Sequence, residues 1–533
     1  MKKIFIPALV LCSWSILSFG QSDAMKKLNI TMYALNNLYV DKVDNDKLVE
    51  DAISALLEKL DPYSNYMNED EAREMNEPLQ GNFDGIGIQF NMLTDTLYIA
   101  QVVAGGPSEK VGLLAGDRII TVDDTLIAGV KMKNTDIMKR LRGMKGTQVK
   151  IQVLRSGVSD LIEFRIIRDK IPIYSMEASY MANEETGYIR ISRFAGTTRE
   201  EFVKAFKDLQ DQGMKHLILD LQGNGGGYLN AAIELSDEFL GEGKLIVYTE
   251  GLHQSRKNAN TQKKGLFEEG KLVVLIDEYS ASASEILSGA LQDWDRAVIV
   301  GRRSFGKGLV QQMIPFQIDG SMLRLTISRY YTPTGRSIQK PYEKGNSASY
   351  GQDLINRYNR GEMVSADSIH FPDSLKFSTL VSGRTVYGGG GIMPDYFVPI
   401  DTTRYTAWHR NVIAKGTLNK LNLNFVDRNR EVIKNACHHS FEEYKAEYAV
   451  PESLMQELQE AALSDSIKFD QEEYNRSEAL IKLQFKALIA RDVFEKNEYY
   501  IRIINEDNES FKKALTLLND PEEYEKLLGK VDR

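Results

Sequence analysis

Between residues 188 and 330 the chain alternates apolar runs of strand length with segments of helical spacing, and this order constrains its fold more than any other feature. The runs are residues 216–221, 272–276 and 297–300, and the helical period falls on residues 229–240 and 283–292. Strand–helix–strand succession predicts a parallel sheet with right-handed crossovers. In such sheets the functional groups gather where strands end and helices begin. The turns after the strands are therefore where chemistry is sought.

After the run ending at Ile276 comes Tyr279-Ser280-Ala281-Ser282-Ala283-Ser284-Glu285-Ile286, which opens a helix. A serine here is either a cap for the first free N–H groups or a nucleophile placed where those groups stabilise an oxyanion. The next strand leads into Ser304-Phe305-Gly306-Lys307-Gly308-Leu309-Val310-Gln311-Gln312. Lys307 is either a solvated surface residue or, if burial keeps its amine neutral, a base for a serine hydroxyl. Gln311, four residues on and on the same side, is placed to orient that amine. A third turn, Gly223-Asn224-Gly225-Gly226-Gly227, can present backbone N–H groups as an oxyanion hole requires. It lacks the Gly-Lys-Ser/Thr ending of a phosphate-binding loop.

The six histidines (His216, His253, His370, His409, His438 and His439) stand in no triad context. Cys437-His438-His439 is a weak ligand set, so neither a metal nor any other cofactor is expected. Acidic and basic residues, 75 and 66, are mixed along the 533-residue chain and leave a net charge of -9, which offers nucleic acid no basic face.

Met1-Lys2-Lys3, an apolar run to Leu17 and then Ser18-Phe19-Gly20 describe a secretory signal peptide over residues 1–20. Its removal would leave Cys437 as the sole cysteine, with no intramolecular disulfide. No other segment reaches membrane-spanning length, so a periplasmic or secreted protein is expected. Residues 21–80 form a helical N-terminal region that closes at Leu60-Asp61-Pro62. Residues 81–170 read as a β-rich module with glycine punctuation and one helix near Asn134–Leu141. The strand–helix alternation occupies 171–402, and residues 403–533 are charged and helical. Segment 341–380 is polar and weakly patterned.

Together the serine, lysine and glycine turns resemble the C-terminal processing peptidases, or tail-specific proteases. Their marks are a Ser-Ala-Ser-Ala-Ser-Glu-Ile segment and a Phe-Gly-Lys-Gly segment, here with 25 residues from Ser282 to Lys307. Arg329-Tyr330-Tyr331-Thr332-Pro333-Thr334-Gly335-Arg336 and Gly389-Gly390-Gly391-Ile392-Met393-Pro394-Asp395 agree with it. The resemblance implies a crotonase-like α/β core with Ser282 as nucleophile, Lys307 as general base and Gln311 as its partner. It implies an oxyanion hole from the backbone of Gly226 and Ala283, although Asn224-Gly225-Gly226-Gly227 departs from the family's Asn-Pro-Gly-Gly. The β-rich module resembles the family's inserted PDZ domain, with Gly85, Ile86, Gly87 and Ile88 as the carboxylate-binding loop. Such a loop gathers a chain terminus on its N–H groups while the peptide adds a strand.

The expectation is an exported serine endopeptidase acting on proteins with apolar C-terminal tails. A homo-oligomer or an adaptor is admitted but not required. The rival readings are a noncatalytic PDZ-containing peptide-binding scaffold and a crotonase-like enzyme acting on a small thioester; the latter leaves the PDZ module unexplained.

Overall fold

A computed structural model describes residues 22–530 apart from residue 94; the expected signal peptide lies outside the described residues. At the centre is a six-stranded sheet in the order Met176–Met181, Thr186–Ile191, His216–Asp220, Leu272–Ile276, Val298–Gly301, Tyr396–Phe397. The first pair is antiparallel and every later neighbour is parallel. The middle strands are buried on both faces, which is why they read as unbroken apolar runs. Helices Thr198–Asp211, Leu229–Ser236 and Ala283–Asp293 cover one face, packing Phe202, Phe206, Leu235 and Leu287 onto Leu217, Leu219 and Val274. All three strands followed by site turns end on the same edge, so their turns converge.

The opposite face is covered from far along the chain. Phe511, Ala514, Leu517 and Tyr524, on helices Glu509–Asn519 and Pro521–Leu527, pack onto Tyr188, Ile218, Val273, Leu275 and Val298. Tyr524 secures this layer, its hydroxyl accepting from the Leu272 N–H (2.9 Å) and donating to the Leu272 carbonyl (3.1 Å). The last two helices thus complete the central sheet's cover. The preceding C-terminal helices enclose a separate core around Trp408, Phe425, Tyr444, Leu458 and Phe485.

Residues 88–167 form an antiparallel sheet, in the order Ile88–Leu93, Thr96–Val102, Arg118–Val122, Gln148–Leu154, Ile162–Ile167, with helix Asn134–Leu141 beside it. Chain entry and exit are tied in a two-stranded antiparallel stem, Asn82–Gly85 against Asp169–Pro172. The module also touches the C-terminal helices. Asp427 accepts from the Tyr98 hydroxyl (3.1 Å) and pairs with Arg118 (2.8 Å), and Gln101 donates to the Glu495 carbonyl (2.6 Å).

A second sheet lies beside the edge that carries the site turns. Leu309–Pro315 pairs with Met322–Tyr331, which also pairs with Leu245–Gly251 and with Asn65–Met67 from the N-terminal region. The polar segment 341–380 contains helices Ser347–Gly351 and Asp353–Asn359 and folds back on the lysine turn. There Arg357 is buried and donates to the carbonyls of Arg303 (2.6 Å) and Ser304 (3.0 Å).

Removing the last helices would return this apolar face of the sheet to water, at roughly 25 cal/mol per Å² exposed. A chain ending at Glu506 should lose most of its soluble yield or bind a hydrophobic dye such as ANS. A monodisperse, cooperatively melting truncation would show that the sheet needs no such cover.

Candidate active site

Three serines crowd the first turn after strand Leu272–Ile276, and their surroundings separate them. Ser280 is buried and its hydroxyl donates to the Leu221 carbonyl (2.8 Å); Ser284 is buried and donates to the Asn224 carbonyl (2.9 Å). Both stitch the serine turn to the glycine turn. Ser282 alone of the three lines a cavity. It stands at the N-cap of helix Ala283–Asp293 with φ +56° and ψ −110°, a region L-residues avoid at a cost of about 1–3 kcal/mol. Strain of this kind persists only where neighbours over-determine the backbone.

The chief such neighbour is Glu285. Its fully buried carboxylate accepts four hydrogen bonds, from Ser282 N–H (2.8 Å), Lys307 N–H (2.9 Å), Gly306 N–H (2.7 Å) and the Ser304 hydroxyl (2.5 Å). One side chain therefore joins the serine turn to the lysine turn. Burial pushes its carboxyl up to about 7, against the opposing pull of the four donors. Sequence reasoning assigned Glu285 no role. The signal was present, since Ser-x-x-Glu at a helix start is the capping-box pattern, but its partners at 304–307 are distant in sequence.

Lys307 follows, between glycines. A Cβ at Gly308 would lie 2.8 Å from the Gln339 nitrogen, so only glycine lets the two chains pass there. Burial pulls the Lys307 amine down to about 8, with Arg324 adding repulsion and Glu285 opposing. The amine makes no hydrogen bond among the described residues and rests 4.4 Å from the centre of the Tyr63 ring. Tyr330, also buried, donates its hydroxyl to the Lys307 carbonyl. Gln311 spends its amide N–H on the Leu309 carbonyl (3.0 Å) and the Thr326 hydroxyl (3.4 Å) rather than reaching Lys307.

Ser282, Lys307 and Gln311 nevertheless line one cavity of about 290 Å³ with apolar walls that include Met75, Leu79, Leu229, Ile286 and Met313. Among the described residues no histidine lines it. The glycine turn closes one side. At Gly226, φ +103°, a Cβ would sit 2.8 Å from the Ser282 Cβ and 3.0 Å from the Ala283 nitrogen, so glycine is required for contact with the serine turn. The Gly226 N–H itself donates to Asn224 Oδ1 (2.9 Å), whereas the Ala283 N–H has no acceptor among the described residues.

In the β-rich module, the N–H groups of Ile86 and Gly87 have no acceptor among the described residues. Gly87, Ile86 and Ile88 line an apolar pocket of about 80 Å³ with Phe83, Phe90, Met138 and Leu141; Gly85 precedes it at the end of the stem. Arg142 closes this pocket, lying over the Phe83 ring (4.7 Å) and paired with Glu77 (2.6 Å) of helix Glu69–Gln80.

The profile of peptidase family S41 matches residues 185–344, and that of the PDZ domain matches 85–166. The N-terminal domain of the activating protease CtpB matches residues 17–71, and a family of unknown function matches 408–495. The carboxy-terminal-processing protease of Bartonella bacilliformis is 37% identical over 353 residues, covering 63% of this chain and 80% of that protein. The carboxy-terminal processing protease CtpB of Bacillus subtilis is 36% identical over 326 residues, 60% of this chain and 66% of that protein. Among solved structures, the photosystem II D1 C-terminal processing protease is 29% identical over 60% of this chain and 84% of its own, at a TM-score of 0.35, too low to bear on the fold. With a PDZ domain set before an S41 core and a relative matched over four-fifths of its length, the chain belongs to the carboxy-terminal-processing proteases of peptidase family S41, which are serine-type peptidases.

Proposed function

We propose that this chain is an exported endopeptidase that captures proteins by their apolar C-terminal tails and hydrolyses them with Ser282 and Lys307. The observation that carries the reading is the Glu285 carboxylate, which binds the backbone of both residues and brings a strained serine and a desolvated lysine to one cavity.

In this reading the neutral Lys307 amine takes the Ser282 Oγ proton as Oγ attacks the scissile carbonyl carbon. The tetrahedral oxyanion forms beside the Ala283 N–H at the positive end of its helix. The Gly226 N–H serves as second donor once it is shared with or released from Asn224 Oδ1. Collapse expels the amine product, which takes the proton from Lys307, and leaves an acyl-enzyme. Water, deprotonated by the same amine, then attacks the ester and restores Ser282. Gln311 steadies the amine when Lys307 swings from Tyr63 toward Ser282. The apolar walls favour an apolar residue on the acyl side of the cut. The PDZ loop of Gly85, Ile86, Gly87 and Ile88 receives the tail carboxylate on its free N–H groups, with Met138 and Leu141 against the last side chain. The functional units are residues 21–80, 81–170, 171–402 with a crotonase-like core, and 403–533, and the chain works in the periplasm or outside the cell. Among the described residues no helix is long and apolar enough to cross a membrane.

Intact-mass analysis of an unfolded protein with an apolar C-terminus should show cleavage by the parent and a loss of about 10³-fold or more in both Ser282→Ala and Lys307→Ala. Full activity in either variant would refute the pair. Because only the free amine accepts a proton, kcat/KM should rise with pH through an acid limb near pH 8, the value to which burial lowers Lys307.

The same displacement acts on stability. The folded value lies below the ordinary 10.5, so the charged amine disfavours folding; that penalty is complete below about pH 8 and fades as pH climbs toward 10.5. Lys307→Met should therefore raise Tm near neutral pH, with the gain shrinking by about pH 10; a gain independent of pH would show the amine to be solvated.

Met138→Asp places a charge in the PDZ pocket and should reduce cleavage of tailed proteins several-fold more than cleavage of a short unstructured peptide. Equal loss on both substrates would end the case for tail recognition.

A further inference from the structure

The N-terminal region sends one turn, residues 61–64, into the catalytic edge. Asp61 organises it: its carboxylate accepts from the Tyr63 N–H (2.9 Å), the Ser64 N–H (3.0 Å) and the Ser64 hydroxyl (2.6 Å). The same carboxylate accepts from the Thr326 hydroxyl (3.0 Å), whose oxygen in turn accepts from the Gln311 amide (3.4 Å). The Thr326 N–H donates to the Ser64 hydroxyl (3.0 Å) and Arg324 Nε to the Tyr63 carbonyl (3.0 Å). The Tyr63 and Tyr350 hydroxyls are hydrogen-bonded to each other. Tyr350 also accepts from Gln339 Nε2 (3.2 Å), and Gln339 Oε1 accepts the Gly308 N–H (2.8 Å). Tyr63 is thus tied at its backbone to the strand beside Gln311 and at its hydroxyl to the turn that carries Lys307.

Its ring faces the Lys307 amine at 4.4 Å. The charged and titratable groups around that amine are few. Glu285 comes from the nucleophile helix with both oxygens occupied by N–H and O–H donors. Arg324 and Tyr330 come from the strand Met322–Tyr331, and Tyr350 from the short helix Ser347–Gly351. No carboxylate forms an ion pair with Lys307 among the described residues. A carboxylate there would pin the amine and raise its proton affinity until it no longer served as a base. An aromatic face instead attracts the ammonium weakly, without direction, and leaves its N–H bonds free to turn elsewhere.

We propose that Tyr63 is a positioning residue for the catalytic lysine: its ring holds the Lys307 ammonium between proton transfers, and its turn steadies Gln311 through Thr326. The N-terminal region then supplies part of the active site. This inference rests on the serine–lysine reading above.

The test replaces Tyr63 with phenylalanine and, by nonsense suppression, with pentafluorophenylalanine, which keeps the shape but removes the attraction of the ring face for a cation. The readout is the pH dependence of kcat/KM on an unstructured peptide. Tyr63→Phe keeps the acid limb of the parent. The fluorinated ring, which no longer favours the charged amine, moves the limb down by about 0.5–1 pH unit. A merely structural role would lower kcat/KM at every pH and leave the limb in place, so coincident limbs for the two variants overturn the role of Tyr63. Cleavage that survives Lys307→Ala removes the base itself and overturns the serine–lysine reading together with this inference, whereas a Lys307-dependent limb that ignores fluorination overturns this inference alone.

Discussion

Glu285 is buried among donors and, among the described residues, paired with no cation. Taking a carboxylate out of water is costly, and in this protein the compensation comes from four hydrogen bonds rather than from a salt bridge. All four partners are donors, so the ionised form is the one the cage accommodates, while burial holds the carboxyl near 7. Two of the donors are the N–H groups of Ser282 and Lys307. The strained φ of Ser282 and the placement of the lysine turn therefore share one origin. Three backbone N–H groups and the Ser304 hydroxyl fill the Glu285 carboxylate, and among the described residues it forms no ion pair with the lysine amine, which suits the base proposed above.

Around that carboxylate, polar side chains join chain segments that are remote in sequence. Ser280 and Ser284 hold the glycine turn, Arg357 holds the carbonyls before Lys307, and Asp61 reaches Thr326 beside Gln311. Apolar packing sets the layers of the core; hydrogen bonds in a water-poor edge set the register of its turns. Hydrogen bonds are directional, so this division gives the site its geometry while the sheet gives it rigidity.

What the sequence reveals follows the same division. Strand Leu272–Ile276 and helix Asn134–Leu141 were legible because local period and burial coincide there. The helical period over residues 229–240 overran the helix, which ends at Ser236, because Phe239 and Leu240 are buried in a turn: periodicity reports which residues are covered, not the backbone that carries them. The polar run 341–380 shows no pattern since, Met363 apart, its buried members Tyr350, Arg357, Glu362 and Thr379 are polar and held by hydrogen bonds instead of an apolar face. The last two helices fall in a stretch that reads only as charged and helical, and nothing local in it tells that the central sheet lies beneath them. For the site, the turns were visible as local motifs, whereas Glu285 and Tyr63 act across chain distances no local pattern encodes.

The stem formed by Asn82–Gly85 and Asp169–Pro172 brings the two ends of the PDZ module side by side. A module whose ends meet can be inserted into, or excised from, its host without moving the flanking chain. On the function proposed above, the module that captures the tail can change as a cassette while the catalytic edge stays as it is, so long as its contacts with Asp427 and Glu495 are kept.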